Sequence, residues 1–269
     1  MKEDISMAVF PICILSVLIV ALATSAVGFY KYAYFTSIGY GLAICGAGLT
    51  IACLFSGMIS FPTFMCAFLL MLYGLRSTAF LIYREFKSQA YRNRITKASA
   101  MPIYAKIIVW LVLSIAYTFM VLPVLYRAYN GGEYGIFTII GMFVMIAGLI
   151  VETVAEVERT LAKKANADGY VHTGLYQYMQ CPNYFGTILF WFGTLISGIG
   201  GVFGVGQWLF CILGFLFVLY LTLARTKRME IRRAEVYSDQ EGYQEYARTT
   251  PLFIPFVPLY SLKTFKWIA

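Results

Sequence analysis

Charge is scarce in this chain of 269 residues. Asp, Glu, Lys and Arg make up 13% of it, about half their share in an ordinary soluble domain. Together with 60% apolar residues, that scarcity excludes a conventional water-soluble globule. Histidine occurs once, at His172, so neither a His-based metal site nor an extended Ser-His-Asp set is available. The six cysteines form no CxxC pair; Cys13, Cys45, Cys53, Cys66 and Cys211 lie in apolar runs and read as small core residues. There is no GxGxxG and no P-loop, so any nucleotide binds without a Rossmann domain. No internal repeat appears. No segment outside the apolar runs is long enough to build its own core, which predicts a single integral domain over 1–269. The formal charge is +8, but no solvated basic domain accompanies it, so nucleic acid is excluded as a partner.

What is present is a succession of long apolar runs. They predict an all-α, polytopic membrane protein of about seven transmembrane helices, at 7–28, 36–58, 61–83, 104–126, 134–156, 185–202 and 204–224. The sixth is short and ends in the Gly-rich run Ser197-Gly-Ile-Gly-Gly201, read as a tight turn. The first reads as a retained helix rather than a cleaved leader, because its flank, Lys2-Glu3-Asp4, has no basic excess. With the N-terminus outside and the C-terminus inside, 18 of the 21 Lys and Arg residues fall on the inner side. These are Lys31, the Arg84–Lys106 set, Arg159, Lys163, Lys164 and every basic residue from Arg225 onward. Only Lys2 and Arg127 fall outside, and Arg76 lies within a span. The positive-inside rule therefore sets a cytoplasmic C-terminus.

Polar residues at membrane depth are costly and usually functional. Arg76 lies three residues from Tyr73 on one face of the third span, about two turns from its inner end. It either snorkels to the inner surface or lines an internal site. Glu152, Glu156, Arg159 and Lys163 form one helical stripe at the end of the fifth span. The stripe reads either as a solvated helix end with local ion pairs or as acceptors and cations for a ligand with hydroxyls and phosphates. Arg225, Arg228 and Arg232 have helical spacing in the tail and read as inner-face anchors or phosphate contacts. The Pro-rich 250–258 segment is extended rather than helical. The loop Gly174-Leu-Tyr-Gln-Tyr-Met-Gln-Cys-Pro-Asn-Tyr-Phe-Gly186 interrupts the apolar sequence at a membrane edge. Its backbone groups must face protein or water rather than lipid.

That loop resembles the "GL(W/F)xYxxxPNYxGE" signature of the steroid 5α-reductase family. The stretch Gly148-Leu-Ile-Val-Glu-Thr-Val-Ala-Glu156 is similar to a bacterial "GxxxExxAD" element, with Glu156 for the Asp. The tail Gly242-Tyr-Gln-Glu-Tyr-Ala-Arg-Thr-Thr-Pro-Leu-Phe-Ile-Pro255 resembles the terminal "YxEYxxRTxxFIP" element. The resemblance covers about 70–258. It implies an NADPH-dependent reductase of an activated carbon–carbon double bond in a lipid-soluble substrate (steroid, sterol or enoyl lipid). It implies a multi-pass location, with the bacterial members pointing to the inner membrane, and membrane lipid and substrate as partners.

Carried over by residue, the resemblance implies cofactor contacts at Glu152, Glu156, Lys163, Tyr178 and Asn183. Arg228, Arg232 and Tyr237 are gapped candidates for the family's tail contacts. Tyr73-Gly-Leu-Arg76 resembles the family's "YxxR". This implies that Tyr73 hydrogen-bonds the substrate carbonyl, with Arg76 adding positive potential. The chain departs from the family at Thr187, where the motif has an acid. The first two spans also lack the glutamate that steroid-reducing members pair with the tyrosine. The same loop resembles the "RHPxYxG" element of isoprenylcysteine carboxyl methyltransferases, with Gln180-Cys181 in place of Arg-His. That similarity implies an S-adenosylmethionine-dependent alternative. A non-catalytic membrane protein on the same scaffold is the third reading. No metal is expected.

Overall fold

The computed structural model describes residues 10–87, 92, 102–132, 135–255 and 257–268. The regular structure among them is helical: α1 (Ile12–Ser25), α2 (Ile38–Leu54), α3 (Phe61–Lys87), α4 (Ile103–Tyr129), α5 (Ile136–Ala165), α6 (Pro182–Ser197), α7 (Gly204–Tyr237) and α8 (Tyr243–Thr249). Short 3-10 turns lie at Ala26–Phe29, Tyr32–Thr36 and Gly174–Gln177. Lys2, Arg94 and Lys97, which entered the charge argument, lie outside the described residues.

Among the described residues, six helical stretches are long and apolar enough to cross a membrane: Ile12–Phe29, Tyr32–Leu54, α3, α4, α5 and α7. The protein is thus all-α and polytopic, as the apolar runs predict. The expected sixth span, 185–202, is α6, which has 16 residues. At 1.5 Å per residue it measures about 24 Å, short of a hydrocarbon core of about 30 Å. Its end is the predicted glycine turn, where Gly200 and Gly204 take φ of +83° and +70°. Pro62 and Pro182 sit in the first turns of α3 and α6, where a missing N–H removes no helical bond.

The chain forms two compact units. The first comprises Met1–Met142 and Thr194–Phe215. Within it, α2 and α3 cross at glycines. A Cβ on Gly48 would lie 2.6 Å from the Ala67 carbonyl oxygen, and one on Gly74 would collide with the Gly41 carbonyl and the Cys45 amide. Lipid offers no hydrophobic drive between helices, so small residues that admit close backbone packing hold such crossings. Pro123 lies inside α4 without ending it. The Phe119 carbonyl, which Pro123 cannot bond, lies against Gly214, where any side chain would strike it.

At one end of this unit Arg127, 1% exposed, donates to the Ile199 and Ser197 carbonyls at 3.1 and 3.4 Å and to the Thr63 hydroxyl at 3.3 Å. It closes the C-terminal end of α6, where a cation complements the helix dipole. Lys31 pairs with Glu85 at 2.5 Å, and the Tyr34 hydroxyl donates to the same carboxylate at 2.6 Å. This pairing ties the connection between α1 and α2 to the basic end of α3.

The second unit comprises Phe143–Gly193 and Leu216–Ala269. Here α5 crosses α6 at another glycine pair. A Cβ on Gly186 would stand 2.6 Å from the Glu152 amide nitrogen and 2.8 Å from the Gly148 oxygen. The tail folds back over α6 and α7, burying Leu252, Phe253, Leu262 and Ile268 with Cys181 and Ala224. As the prolines predict, residues 250–255 and 257–260 are not helical. The Cys181 amide donates to the Leu252 carbonyl at 2.9 Å and the Gln180 amide to that of Pro251 at 2.8 Å.

Candidate functional site

The 174–186 loop is built inward from its first residue. Gly174 has φ +64°, and a Cβ there would run into the Glu158 carboxylate. The carboxylate accepts the Leu175 amide at 2.8 Å. Tyr176 is fully buried and donates to the Ala155 carbonyl at 3.3 Å, while its own carbonyl accepts the Tyr246 hydroxyl at 2.8 Å. Burial pushes the Tyr176 phenol up to about 12, against the pull of Arg159 and Arg233. The Gln180 side chain donates to the Thr250 and Ala247 carbonyls at 2.7 and 3.2 Å, and its backbone carbonyl accepts Arg233 at 3.0 Å. Burial raises the Cys181 thiol to about 11, which leaves it inert as a nucleophile. Gln180 and Cys181, the two departures from an Arg-His pair, therefore fasten the tail.

Further polar groups lie along the loop and the end of α5. Glu152 is buried at 6% exposure and accepts the Thr187 hydroxyl at 2.9 Å. Thr187 is also bonded to the Asn183 carbonyl at 3.1 Å. The residue that replaces the motif's acid thus contacts an acid supplied by α5, one helix away. Glu156, Arg159 and Asn183 are half-buried, and Tyr178 is exposed. The Asn183 amide forms no hydrogen bond among the described residues, so two donors and an acceptor remain open. On α7, Arg228 and Arg232 are exposed; Arg228 donates to the Ala224 carbonyl at 3.2 Å.

Lys163 and Tyr237 are brought together, and they consume each other. The Lys163 ammonium donates to the Tyr237 hydroxyl at 2.7 Å and to the Ala167 and Gly169 carbonyls, both at 2.8 Å. An ammonium has three protons, so Lys163 takes a phosphate only by giving up one of these bonds. Tyr237 packs in turn on Tyr170 and Tyr243, with ring centroids 6.4 and 5.7 Å away.

The spacing argument singled out Arg225, Arg228 and Arg232 but passed over Arg233. Thr222, Thr226, Glu230 and Arg233 share one face of α7, and the first three are buried. That phase was the available signal, and it places Arg233, not Arg232, against the loop.

Tyr73 and Arg76 belong to the first unit. Tyr73 is 1% exposed, and the Arg76 guanidinium lies 5.9 Å from its ring centroid, within cation–π range. The Tyr40 hydroxyl donates to the Tyr73 hydroxyl at 3.3 Å. One turn further along α3, Ser77 and Thr78 bury hydroxyls that make no hydrogen bond among the described residues. Among the described residues no group of three His, Cys, Asp or Glu side chains is placed to hold a metal.

Residues 9–250 match a family model described as a protein of unknown function, DUF1295. The chain is also 27% identical over 121 residues to the steroid 5-alpha-reductase DET2 of Arabidopsis thaliana. That match takes in 44% of this chain and 41% of DET2, less than half of either. No solved structure matches.

Proposed function

The chain is a steroid 5-alpha-reductase-like member of the DUF1295 family, and from that premise we propose that it is a membrane-embedded, NADPH-dependent reductase of an activated C=C bond in an apolar substrate. The observation that carries the proposal is the loop face of the second unit. There the Thr187 hydroxyl joins the buried Glu152 carboxylate to the Asn183 backbone carbonyl, and the Asn183 side-chain amide bonds no described residue. Half-buried Glu156 and Arg159 lie along the same helix.

The donor set fits a dinucleotide. Carboxylates and an amide take ribose and carboxamide groups, and guanidiniums take phosphates, often bidentately. Glu152, Glu156, Tyr178 and Asn183 are assigned to the nucleoside parts, and Arg228 and Arg232 to the phosphates. Lys163 and Tyr237 are assigned to the clasp that shapes the site. The cofactor supplies the hydride when bound. Tyr73 donates a hydrogen bond to the substrate carbonyl as negative charge builds there, and Arg76 raises the local positive potential. A donor aimed at developing charge in a dry site contributes about 3–4 kcal/mol. The whole chain acts as one integral domain in a bacterial inner membrane. Its basic ends and C-terminus face the cytoplasm, with lipid and an apolar substrate as partners.

The test is calorimetry on detergent-purified protein titrated with NADPH, NADH and S-adenosylmethionine. NADPH binding is expected, weakened at least tenfold by Asn183→Ala or Glu156→Ala. That factor corresponds to about 1.4 kcal/mol, the loss of one good hydrogen bond to a ligand. Binding of S-adenosylmethionine alone would replace the reductase with a methyltransferase, and binding of neither would leave a non-catalytic scaffold.

A further inference from the structure

Residues 259–268 lie beyond the family match, which ends at residue 250. Their depth is set by α7. This helix carries no charge from Gly204 to Leu223, then turns cationic at Arg225, Lys227 and Arg228. The uncharged stretch rises about 30 Å, the thickness of a hydrocarbon core, so the cations after it mark the headgroup level. Lys227 holds the segment there. Its ammonium donates to the Ile268 carbonyl at 2.7 Å and to the Phe265 carbonyl at 3.2 Å. Three residues further along α7, the buried Glu230 carboxylate accepts the Ser261 hydroxyl and, at 2.9 Å, the Leu262 amide.

These two anchors give the segment two faces. Leu262 and Ile268 turn inward and are buried in one cluster with Ala224, on which Ile188 and Leu223 also pack. Lys263, Phe265, Lys266 and Trp267 turn outward. Trp267 is 64% exposed, and its ring meets that of Phe265 edge to face at 6.2 Å. Glu230 lies 4.0 Å from the Lys263 ammonium, but Ser261 and Leu262 already occupy its oxygens, and an exposed pair of that length contributes little. No acidic residue follows Glu245 in the sequence. In water an exposed indole beside a second ring is a poor arrangement; at the headgroup level it is the favoured one.

We propose that residues 259–268 form an interfacial strap whose exposed face binds anionic phospholipid headgroups. Lys263 and Lys266 take the phosphates, and Phe265 and Trp267 enter the boundary between headgroups and acyl chains. The proposal rests on the membrane class of the chain and not on the reductase reading. Charge complementarity selects the lipid, because this face carries two cations and no anion of its own. A lysine near an anionic leaflet contributes about fivefold in binding, equivalent to about 1 kcal/mol. Irregular backbone is tolerated at this depth because its polar groups are met within the protein. Lys227 takes the Phe265 and Ile268 carbonyls, Glu230 takes the Leu262 amide, and the Phe265 amide turns back to the Leu262 carbonyl at 3.1 Å.

The experiment reconstitutes the full chain in nanodiscs of phosphatidylcholine and phosphatidylglycerol in equal parts, with each lipid in turn dibrominated high on its acyl chain. Bromine quenches indole fluorescence on contact. The difference between wild type and Trp267→Phe isolates Trp267 from Trp110, Trp191 and Trp208. Brominated phosphatidylglycerol is expected to quench the Trp267 contribution several-fold more than brominated phosphatidylcholine. Lys263→Gln and Lys266→Gln, both at exposed positions, are each expected to cut that preference by up to about fivefold. Salt at about 1 M is expected to remove most of it. Equal quenching by the two lipids overturns the proposal, because the strap then has no headgroup preference. Quenching by neither places Trp267 in water and overturns it as well. A preference that survives intact in the Lys263→Gln/Lys266→Gln double variant assigns the anionic lipid to the cations of α7 and removes the strap as its site.

Discussion

Replacing Lys163 with methionine separates a clasp from a phosphate ligand. Methionine keeps the length and apolar stem of lysine and removes the charge and three donors. Two of the bonds, to Gly169 O and Tyr237 Oη, are partly buried at 2.8 and 2.7 Å, and the third, to Ala167 O, is exposed. Hydrogen bonds from a charged donor are worth about 1.5–3 kcal/mol each when sheltered. Water replaces the exposed one at little cost, and partial exposure discounts the other two. The ammonium also sits 5.0 Å from the Tyr237 ring centroid, a further contribution of about 0.5 kcal/mol at a solvated site.

The expected loss is therefore about 2–3 kcal/mol, localised where the 165–170 connection meets the end of α7. For a chain of this size that lowers the midpoint of thermal unfolding by roughly 5–10 °C. The assay is a thermal melt in detergent, with limited proteolysis of the turn after Tyr237 and NADPH titration on the same sample. The clasp account expects a lower midpoint, faster cleavage and a modest change in affinity. An unchanged midpoint with NADPH binding weakened more than tenfold would refute it and return Lys163 to the phosphates.

Two further outcomes are expected. Gly186→Ala puts a Cβ against the backbone of α5, 2.6 Å from the Glu152 nitrogen. Backbone cannot move aside as a side-chain end can, so a loss of about 1–3 kcal/mol or more is expected, read as a lower melting midpoint. Reporter fusions are expected to place the C-terminus in the cytoplasm and the N-terminus outside. Both termini in the cytoplasm would mean that α6, at 16 residues, does not cross.

The sequence alone determined the membrane class, six of the seven expected spans, the glycine turn after α6 and the non-helical tail. Each of these depends on local composition: a run of apolar residues must be helical in lipid, and glycine or proline punctuates it wherever it stands. It also singled out the 174–186 loop and the 152–163 stripe, because charge and amide groups are rare enough in such a chain to be conspicuous.

Tertiary structure decided what each polar group has left to offer. Lys163 looked like a free cation in the stripe, yet its protons are taken by Ala167, Gly169 and Tyr237. Thr187 looked like the loss of an acid, yet its hydroxyl reaches the carboxylate of Glu152, 35 residues earlier. Arg233, passed over by the spacing argument, turns toward the loop while Arg232 faces out. Tyr73 appeared to lack a partner, because the search for one was limited to acids; Tyr40 reaches it through glycines that bring α2 and α3 together. Hydropathy accumulates along the chain, so it can be read residue by residue. Hydrogen-bond capacity is spent between segments far apart in sequence, and only their packing shows which donors remain.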